Sequence, residues 1–320
     1  MSDYLVTGAC GYLGRNFIRI LRREKPDAEI IGTGIDDCGG NKPGMDSRSG
    51  IDLYLKADLA NPEEATGLVA KADPRYIVHL AGVPGASDWP LLIKGNVQTT
   101  ANILQAASTA GDGTGSSLSS AGNIRTFIVG SAAEYGFVRK EELPLQESRP
   151  QRPVTQYGMS MACRTTIALG YATRGADVVV GRLFNPLGPG LSESMAPGSF
   201  AKQVLAVKNR KQKTPIRVGD LEARRDFIDI EDACCAFLAI IGRGRKGEAY
   251  NVCSGKSVGL GELLDEMQRC EGTHAAIEVD GKLAAMPGVP DIYGDLRKIT
   301  AHTGWKPKIS LEESVRRMLG

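Results

Sequence analysis

The sequence lacks both a marked excess of one charge and a cluster of metal-binding side chains. Its 320 residues include 39 Lys and Arg against 37 Asp and Glu, so the formal net charge is only +2. A chain this close to neutrality has no basic field for a phosphate backbone, which argues against a nucleic-acid partner. The 3 histidines are scattered and no Cys-x-x-Cys pair occurs, so we predict no metal site.

Long apolar runs and targeting signals are also missing. No stretch approaches the ~18 apolar residues of a membrane span. The N-terminus, Met1-Ser2-Asp3-Tyr4-Leu5-Val6, has neither the basic nor the apolar region of a secretory signal. The 7 cysteines, an odd number, predict buried free thiols in a reducing compartment. We therefore expect a cytoplasmic protein with no membrane partner.

Short runs rich in Val, Ile, Leu and aromatic residues alternate with stretches of helical spacing in the first half of the chain. The predicted strands are Tyr4–Thr7, Glu29–Thr33, Tyr76–Leu80, Arg125–Gly130 and Val178–Leu183, and the predicted helices include Leu13–Arg23 and Val97–Ala107. Strands that alternate with helices pair in parallel through crossover helices on both faces. The pattern therefore predicts an α/β fold with a doubly wound parallel sheet.

A glycine-rich turn follows the first predicted strand and opens the first helix. Its glycines, Gly8, Gly11 and Gly14, are spaced G-x-x-G-x-x-G around Tyr12 and Leu13. Such glycines permit a tight turn, let the backbone approach a pyrophosphate and bring the helix close to the strand. The free N–H groups of the helix N-terminus favour an anion at this place. The turn predicts a Rossmann-type site for a dinucleotide.

Asp36 follows the second predicted strand, where an acidic residue holds the ribose hydroxyls of the adenosine. No arginine stands there for a 2′-phosphate, so we expect NAD, without excluding NADP.

The second half of the chain is less regular. From about Asn185 it is rich in proline and glycine, with helical pieces predicted at Phe200–Lys208, Ile230–Ile241, Gly261–Cys270 and Leu311–Leu319. We predict a cofactor domain over residues 1–184 and a smaller substrate-binding lobe over residues 185–320, with some chain returning to the sheet. The Gly- and Ser-rich segment Gly111–Gly122 is predicted to be a flexible surface insertion remote from the chemistry.

Ordered segments along nearly the whole chain resemble the extended short-chain dehydrogenase/reductase family of nucleotide-sugar epimerases, dehydratases and reductases. The matching segments are Ala57-Asp58-Leu59, Val78-His79-Leu80-Ala81-Gly82, Gly130–Gly136 with Ser131, Gln156–Ser160 with Tyr157, Arg182–Gly190 and Arg225–Asp232. Within the family, Val218–Phe227, Tyr250–Gly255 and Gly304–Pro307 are most similar to GDP-4-keto-6-deoxy-D-mannose reductases.

The resemblance implies particular roles for residues of this chain. Cofactor contacts fall on the glycine turn, Asp36, Asp58, Leu59, Leu80, Ala81, Gly82 and Tyr157, and substrate contacts on Ser131, Glu134, Asn185 and Arg225. It also implies NAD as cofactor, a nucleotide-diphosphate sugar as partner, and a homodimer formed through the helices near Val97–Ala107 and Tyr157–Tyr171.

The family exchanges a hydride with C4 of the sugar while a tyrosine moves the proton of the C4 hydroxyl, and by position these roles fall to Tyr157 and Ser131. Relatives place a lysine four residues after the tyrosine to stabilise its phenolate, but Met161 stands there in this chain. Three explanations remain open: an engineered substitution, a natural variant in which another group or NAD⁺ itself supports the phenolate, and a catalytically silent protein.

Two further departures narrow the reaction. Family 4,6-dehydratases carry an acidic pair directly after the Ser or Thr, and this chain has Ala132 and Ala133 there. The segment Ala284–Pro290 lacks the Arg-Pro that helps relatives bind the nucleotide, so we expect Arg225 to bear more of that contact.

We therefore expect an NAD(P)-dependent oxidoreductase acting at C4 of a nucleotide-diphosphate hexose, most similar to a 4-keto-6-deoxyhexose reductase. The alternatives are a 4-epimerase that retains its NAD, and a sugar-nucleotide-binding or redox-sensing protein without turnover.

Overall fold

A computed structural model describes residues 2–37, 49–85, 88–110, 124–210, 215–281 and 290–320. The predicted flexible insertion Gly111–Gly122 and most of the segment Ala284–Pro290 lie outside the described residues.

The described residues form 14 strands. They are β1 (Ser2–Thr7), β2 (Ile30–Gly34), β3 (Leu53–Lys56), β4 (Pro74–His79), β5 (Arg125–Ser131), β6 (Val178–Leu183), β7 (Asn185–Leu187), β8 (Ile216–Val218), β9 (Arg224–Arg225), β10 (Phe227–Asp229), β11 (Ala249–Val252), β12 (Val258–Gly259), β13 (Ile277–Val279) and β14 (Asp291–Ile292). Seven of them make one sheet in the order β11-β6-β5-β4-β1-β2-β3. Every neighbouring pair in this sheet is parallel.

The described residues also form ten α-helices, some of which cover both faces of this sheet. They are α1 (Tyr12–Glu24), α2 (Pro62–Ala72), α3 (Trp89–Leu92), α4 (Thr99–Thr109), α5 (Gln156–Thr173), α6 (Ala196–Lys208), α7 (Ile230–Arg243), α8 (Leu260–Glu271), α9 (Arg297–Thr303) and α10 (Leu311–Leu319), with a π-helix at Ile93–Gln98. On one face α1 and α7 enclose a core around Phe17, Phe127 and Phe237. On the other face α2, α4 and α5 pack over Leu5, Ile77 and Val180.

Burial on both faces explains the composition of the central strands. Val178, Val179 and Val180 of β6 are all 1% exposed or less, as expected of a parallel strand between two helical layers. The predicted fold class, an α/β fold with a doubly wound parallel sheet, is thereby confirmed.

The smaller lobe is built from short strands and three helices. A two-stranded sheet, β8–β13, and a three-stranded sheet in the order β12-β9-β14 surround a core of residues from α6, α8 and α10, among them Phe200, Leu263 and Val315. The chain does not stay in this lobe after Asn185, because α7 packs on the sheet and β11 forms its edge beside β6.

Most predicted elements lie within three residues of the observed ends. The predicted helix Phe200–Lys208 is an exception, because α6 begins four residues earlier, at Ala196. The predicted helix Val97–Ala107 is preceded in the structure by a π-helix from Ile93, and it continues as α4 from Thr99. Wide turns of this kind are common at functional sites. The strand β3 and the helix α2 were not predicted.

The prediction of buried free thiols is wrong for two cysteines. Cys10, in the glycine-rich turn, is disulfide-bonded, and Cys163 is free but exposed on α5. Cys234 and Cys253 are free and buried as predicted, because both face apolar cores.

Candidate active site

A cavity of about 550 Å³ opens at the carboxyl ends of the sheet strands, between the sheet and the smaller lobe. This is the edge where ligands bind in open α/β sheets. The predicted site residues that line it are Gly8, Gly11, Tyr12, Leu13, Gly14, Leu80, Gly82, Ser131, Tyr157, Met161, Asn185 and Arg225. The predicted residues Asp36, Asp58, Leu59, Ala81 and Glu134 are not part of its lining.

The glycine-rich turn is packed too closely for side chains. Gly8 has a φ of 65°, and a Cβ there would lie 2.8 Å from the backbone of Ala81. A Cβ on Gly14 would lie 2.1 Å from the carbonyl oxygen of Gly8. These contacts hold the N-terminus of α1 against the ends of β1 and β4.

The N-terminus of α1 has the features of an anion site. Gly11 caps it without a side-chain hydrogen bond, and its first turn contains no acidic residue. By contrast, α2 is capped by Asn61 and carries Glu63 and Glu64 in its first turn. The uncapped N–H groups of α1 therefore fit a pyrophosphate, as a dinucleotide requires.

A buried hydroxyl at the same end of the cavity also has no partner. The Oη atom of Tyr12 makes no hydrogen bond with any described residue, and burial raises the pKa of Tyr12. Buried hydroxyls without a partner are rare, so this one is available to a polar ligand.

The residues predicted to contact the adenosine lie further from the cavity. Asp36 follows β2 with an exposed side chain. The Asp58 carboxylate pairs with Lys94 at 3.0 Å, and this contact lowers the pKa of Asp58.

Leu59 needs a correction as a cofactor contact. Its side chain is 3% exposed and packs into the core under α2 and α4, because the chain turns inward after β3. Ala81 contributes through its backbone, which lies against Gly8 and whose N–H donates to the Thr7 hydroxyl at 3.1 Å.

Tyr157 and Ser131 meet at the centre of the cavity. Tyr157 stands in the first turn of α5, which Thr155 caps by accepting a hydrogen bond from the Gly158 N–H at 3.0 Å. Burial raises the pKa of Tyr157 above 10.0, while a hydrogen bond with Ser131 and the charge of Arg164 act in the opposite direction. The phenol is therefore protonated near neutral pH and is able to donate a proton.

Two further residues of α5 face the cavity, one and two helical turns after Tyr157. Met161 is 3% exposed, and Arg164 is 1% exposed. The Arg164 guanidinium donates from Nη1 to the carbonyl oxygen of Ala81 at 2.9 Å and from Nη2 to that of His79 at 3.0 Å. Burial lowers the pKa of Arg164 to about 10, so the side chain remains charged near neutral pH.

Glu134 needs a correction as a predicted substrate contact. Its side chain is fully buried, with one carboxylate oxygen accepting from the Ser131 N–H at 2.7 Å and from the Thr165 hydroxyl at 2.9 Å. The other oxygen accepts from Gln151 at 2.6 Å and from Arg182 at 2.9 Å. The carboxylate faces these groups instead of the cavity, and it fixes the backbone of Ser131.

The smaller lobe provides the opposite wall. Asn185 and Arg225 line the cavity, and burial lowers the pKa of Arg225. Asn185 is positioned by Asp226, whose carbonyl oxygen accepts from the Asn185 amide at 3.0 Å. Arg225 donates from Nη1 to the carbonyl oxygen of Arg224 at 2.7 Å. The buried carboxylate of Asp226 accepts from the N–H and hydroxyl groups of Ser254, both at 2.7 Å, and thus ties this wall to the loop after β11.

Comparison with known proteins identifies the family. A sequence model described as GDP-mannose 4,6 dehydratase matches residues 5–318, nearly the entire chain. The chain belongs to this family. The resemblance to the extended short-chain dehydrogenases/reductases is thereby confirmed.

The proteins similar to this chain include some that are named for other reactions. A GDP-6-deoxy-D-mannose reductase from Pseudomonas aeruginosa is 31% identical over 268 residues, which cover 82% of this chain and 84% of that protein. A GDP-6-deoxy-D-talose 4-dehydrogenase from Aggregatibacter actinomycetemcomitans is 26% identical over 299 residues, or 92% of this chain and 89% of that protein.

Solved structures share the fold over the whole chain. RMD from Pseudomonas aeruginosa in complex with NADPH has a TM-score of 0.79 at 26% identity, covering 100% of this chain and 98% of that one. A putative epimerase from Burkholderia cenocepacia has a TM-score of 0.84 at 26% identity, with coverages of 99% and 97%.

The site lacks the groups for the dehydration in the family's name. Ala132 and Ala133 follow Ser131 and line the cavity at the positions of the acidic pair. Their methyl groups can neither remove nor deliver a proton, so elimination of water would have no acid or base at these positions.

Sequence reasoning missed two side chains of the site. Asn96, in the π-helix, bonds the backbone of Val83 at 2.8 Å and the Ser160 hydroxyl at 3.0 Å, which joins the loop after β4 to the turn of α5 that holds Tyr157. Arg164 is the second. Its spacing of seven residues from Tyr157, two helical turns on one face, was the available signal.

The structure includes no group of three or more metal-ligating side chains among the residues that it describes. Within the same residues, no helix is long and apolar enough to cross a membrane.

The glycine contacts predict the effect of a single methyl group. We expect Gly14→Ala to weaken NAD(P)H binding by about 10- to 100-fold, about 1.4–2.8 kcal/mol, because the new Cβ displaces the turn from α1. Gly67→Ala is the matched control, since a Cβ there meets nothing within 4 Å. Titration calorimetry with both variants measures the difference, and equal affinities would contradict the assigned role of the turn.

Proposed function

We propose that this protein is an NAD(P)-dependent oxidoreductase that acts at C4 of a nucleotide-diphosphate hexose and reduces a 4-keto-6-deoxyhexose. The observation that carries the proposal is that Tyr157 and Ser131 line one cavity together with the glycine-rich turn. The absence of an acid and a base at Ala132 and Ala133 favours reduction over dehydration. The name of the 31% identical relative, GDP-6-deoxy-D-mannose reductase, supports the same reaction class.

The residues present fit a dinucleotide. The uncapped N-terminus of α1 would hold the pyrophosphate, Tyr12 offers its unpartnered hydroxyl, and Asp36 stands where the adenosine ribose is bound. When bound, the reduced nicotinamide supplies the hydride. We propose NADH in preference to NADPH, because the exposed carboxylate of Asp36 would repel a 2′-phosphate. The ratio of kcat/KM for the two cofactors tests this preference.

Tyr157 is the proton donor in this proposal. Its hydroxyl gives a proton to the C4 carbonyl oxygen as that oxygen gains charge, and the Ser131 hydroxyl holds the same oxygen. The Ser131 N–H donates a hydrogen bond to Glu134, and the Asn96 amide donates one to the Ser160 hydroxyl. These bonds keep the hydroxyls of Ser131 and Tyr157 in place.

The nucleotide diphosphate is assigned to the wall of the smaller lobe. Arg225 supplies a positive charge there and Asn185 an amide, and both line the cavity opposite Tyr157. A diphosphate is bound by such charge-assisted contacts.

The sugar nucleotide and the cofactor are multiply charged and do not cross a lipid bilayer unaided. We therefore also propose a cytoplasmic location, where both would be available.

The proposed reaction predicts turnover with a defined substrate. With GDP-4-keto-6-deoxy-D-mannose we expect stoichiometric consumption of NAD(P)H, and about a 10²- to 10⁴-fold lower kcat in Tyr157→Phe, because the proton donor is lost. The reductive kcat should be constant from about pH 6 to about pH 9 and fall only above, since the protonated phenol is active and its pKa lies above 10.0. Tyr171→Phe is the control, because the hydroxyl of Tyr171, on α5, contacts the side chain of Gln105 at the surface of the protein.

The alternatives predict other results in the same assay. A 4-epimerase would interconvert sugar nucleotides without net consumption of NAD(P)H and would release tightly bound NAD on denaturation. A silent binding protein would give no turnover with any sugar nucleotide tested.

We further propose a homodimer formed by α4 and α5, which pack side by side. Met159, on α5, is 40% exposed although apolar, and the apolar side chains of Leu91 and Ile93 are exposed nearby, before α4. Contiguous exposed apolar side chains mark interaction surfaces.

We expect sedimentation equilibrium to give about twice the chain mass of 34.1 kDa for the wild type. Met159→Glu should shift the protein toward the monomer, because it places a charge in the interface. Val279→Glu, on the smaller lobe, should leave the mass unchanged. A monomeric wild type would contradict the dimer.

A further inference from the structure

Arg164 is the largest side chain of the described residues that is less than 2% exposed. Removing a guanidinium from water costs several kcal/mol unless a counter-charge and hydrogen bonds offset it. Arg182, the other buried arginine at the site, meets this condition, because it pairs with Glu134 at 2.9 Å and bonds the Tyr135 hydroxyl at 3.1 Å.

Arg164 has no such counter-charge. No carboxylate of a described residue lies within 4.0 Å of its guanidinium, whose bonds go to the backbone carbonyl oxygens of His79 and Ala81. Its Nε has no hydrogen-bond partner among the described residues, and the residue lines the cavity. A buried positive charge that faces a cavity without a protein anion indicates that its partner is another group at that cavity.

The phenol of Tyr157 lines the same cavity, and the charge of Arg164 acts on it to lower its pKa. Residues that follow one another by four and seven positions lie on one face of a helix, so Tyr157, Met161 and Arg164 form one stripe of α5 along the cavity. The first residue of the stripe is the proton donor, the second is the apolar Met161, and the third carries the charge.

We propose that Arg164 supplies the positive charge that supports the Tyr157 phenolate, in place of a cation at position 161. It is a positioning residue that acts through Tyr157 and fixes the acidity of its hydroxyl. The inference rests on the proposed function only in giving Tyr157 the proton-transfer role.

The charges around the pair do not offset this effect. Glu134 raises the pKa of Tyr157, but its carboxylate is paired with Arg182. Burial and, secondarily, the charge of Arg164 lower the pKa of His79, which therefore stays neutral beside the guanidinium. Ser131 donates or accepts without charge, and Lys94 of the π-helix is paired with Asp58 at the surface.

The test removes the positive charge at position 164 and then restores a positive charge one helical turn away, at position 161. Arg164→Gln keeps an amide donor for a carbonyl oxygen but removes the charge, whereas Arg164→Lys keeps the charge. In the NAD(P)⁺-dependent oxidation of the sugar nucleotide at about pH 8, which needs the phenolate, we expect Arg164→Gln to lower kcat by about 10- to 1000-fold. KM should change little, Arg164→Lys should retain most activity, and Met161→Lys combined with Arg164→Gln should restore much of the loss.

Recovery in the double variant would support the proposal, because a lysine at 161 does not replace the bonds to His79 and Ala81. Equal losses in Arg164→Gln and Arg164→Lys without recovery in the double variant would overturn it and assign Arg164 a structural role.

A second measurement does not depend on turnover, and so separates this proposal from the proposed function. The phenolate absorbance of Tyr157 is taken as the difference between each protein and its Tyr157→Phe version. We expect its titration midpoint to rise in Arg164→Gln by about one to three pH units relative to wild type. An unchanged midpoint would overturn the proposal even if the enzyme is a reductase, and a raised midpoint would support it even if no substrate turns over.

Discussion

The structure of the site depends on the close contact between the turn after β1 and the end of β4. Parallel pairing sets Thr7 opposite His79, and the Thr7 hydroxyl bonds the imidazole at 2.8 Å. This register brings Gly8 against the backbone of Ala81, where only glycine fits. The carbonyl oxygens of His79 and Ala81 are then left for Arg164. One sheet edge thus provides both the anion site of α1 and the anchor for a buried cation.

Two buried arginines have different electrostatic roles at the site. Arg182 is neutralised by Glu134, and together they fix the backbone of Ser131 from below the cavity. Among the described residues, Arg164 bonds only neutral carbonyl oxygens, through Nη1 and Nη2, and these leave its charge uncancelled. Because these carbonyl oxygens carry no net charge, the field of the Arg164 guanidinium remains available to Tyr157. Met161 is buried and apolar, and a charge acts more strongly in such a low-dielectric environment than in water.

The sequence was informative where local pattern determines structure. The alternation of strand-like and helical segments predicted the parallel sheet and the ends of β6 and α10. The spacing of the glycines predicted the turn that packs against Ala81. The failures concern contacts that link distant segments. Glu134 was predicted to bind substrate because of its place after Ser131, but its partners Thr165 and Arg182 come from α5 and β6. Leu59 turns inward for a similar reason, and the lack of a described carboxylate beside Arg164 becomes visible only when the folded cavity is known.

The central claim is that a hydride from the nicotinamide reaches C4 of the sugar beside Tyr157. It is tested most directly by supplying cofactor deuterated at the transferable position of the nicotinamide ring with a 4-keto-6-deoxyhexose nucleotide. The product is then examined by NMR and mass spectrometry. We predict one deuterium in the product, located at C4 of the hexose with a single configuration. Deuterium at any other carbon, or a product without deuterium, would contradict it.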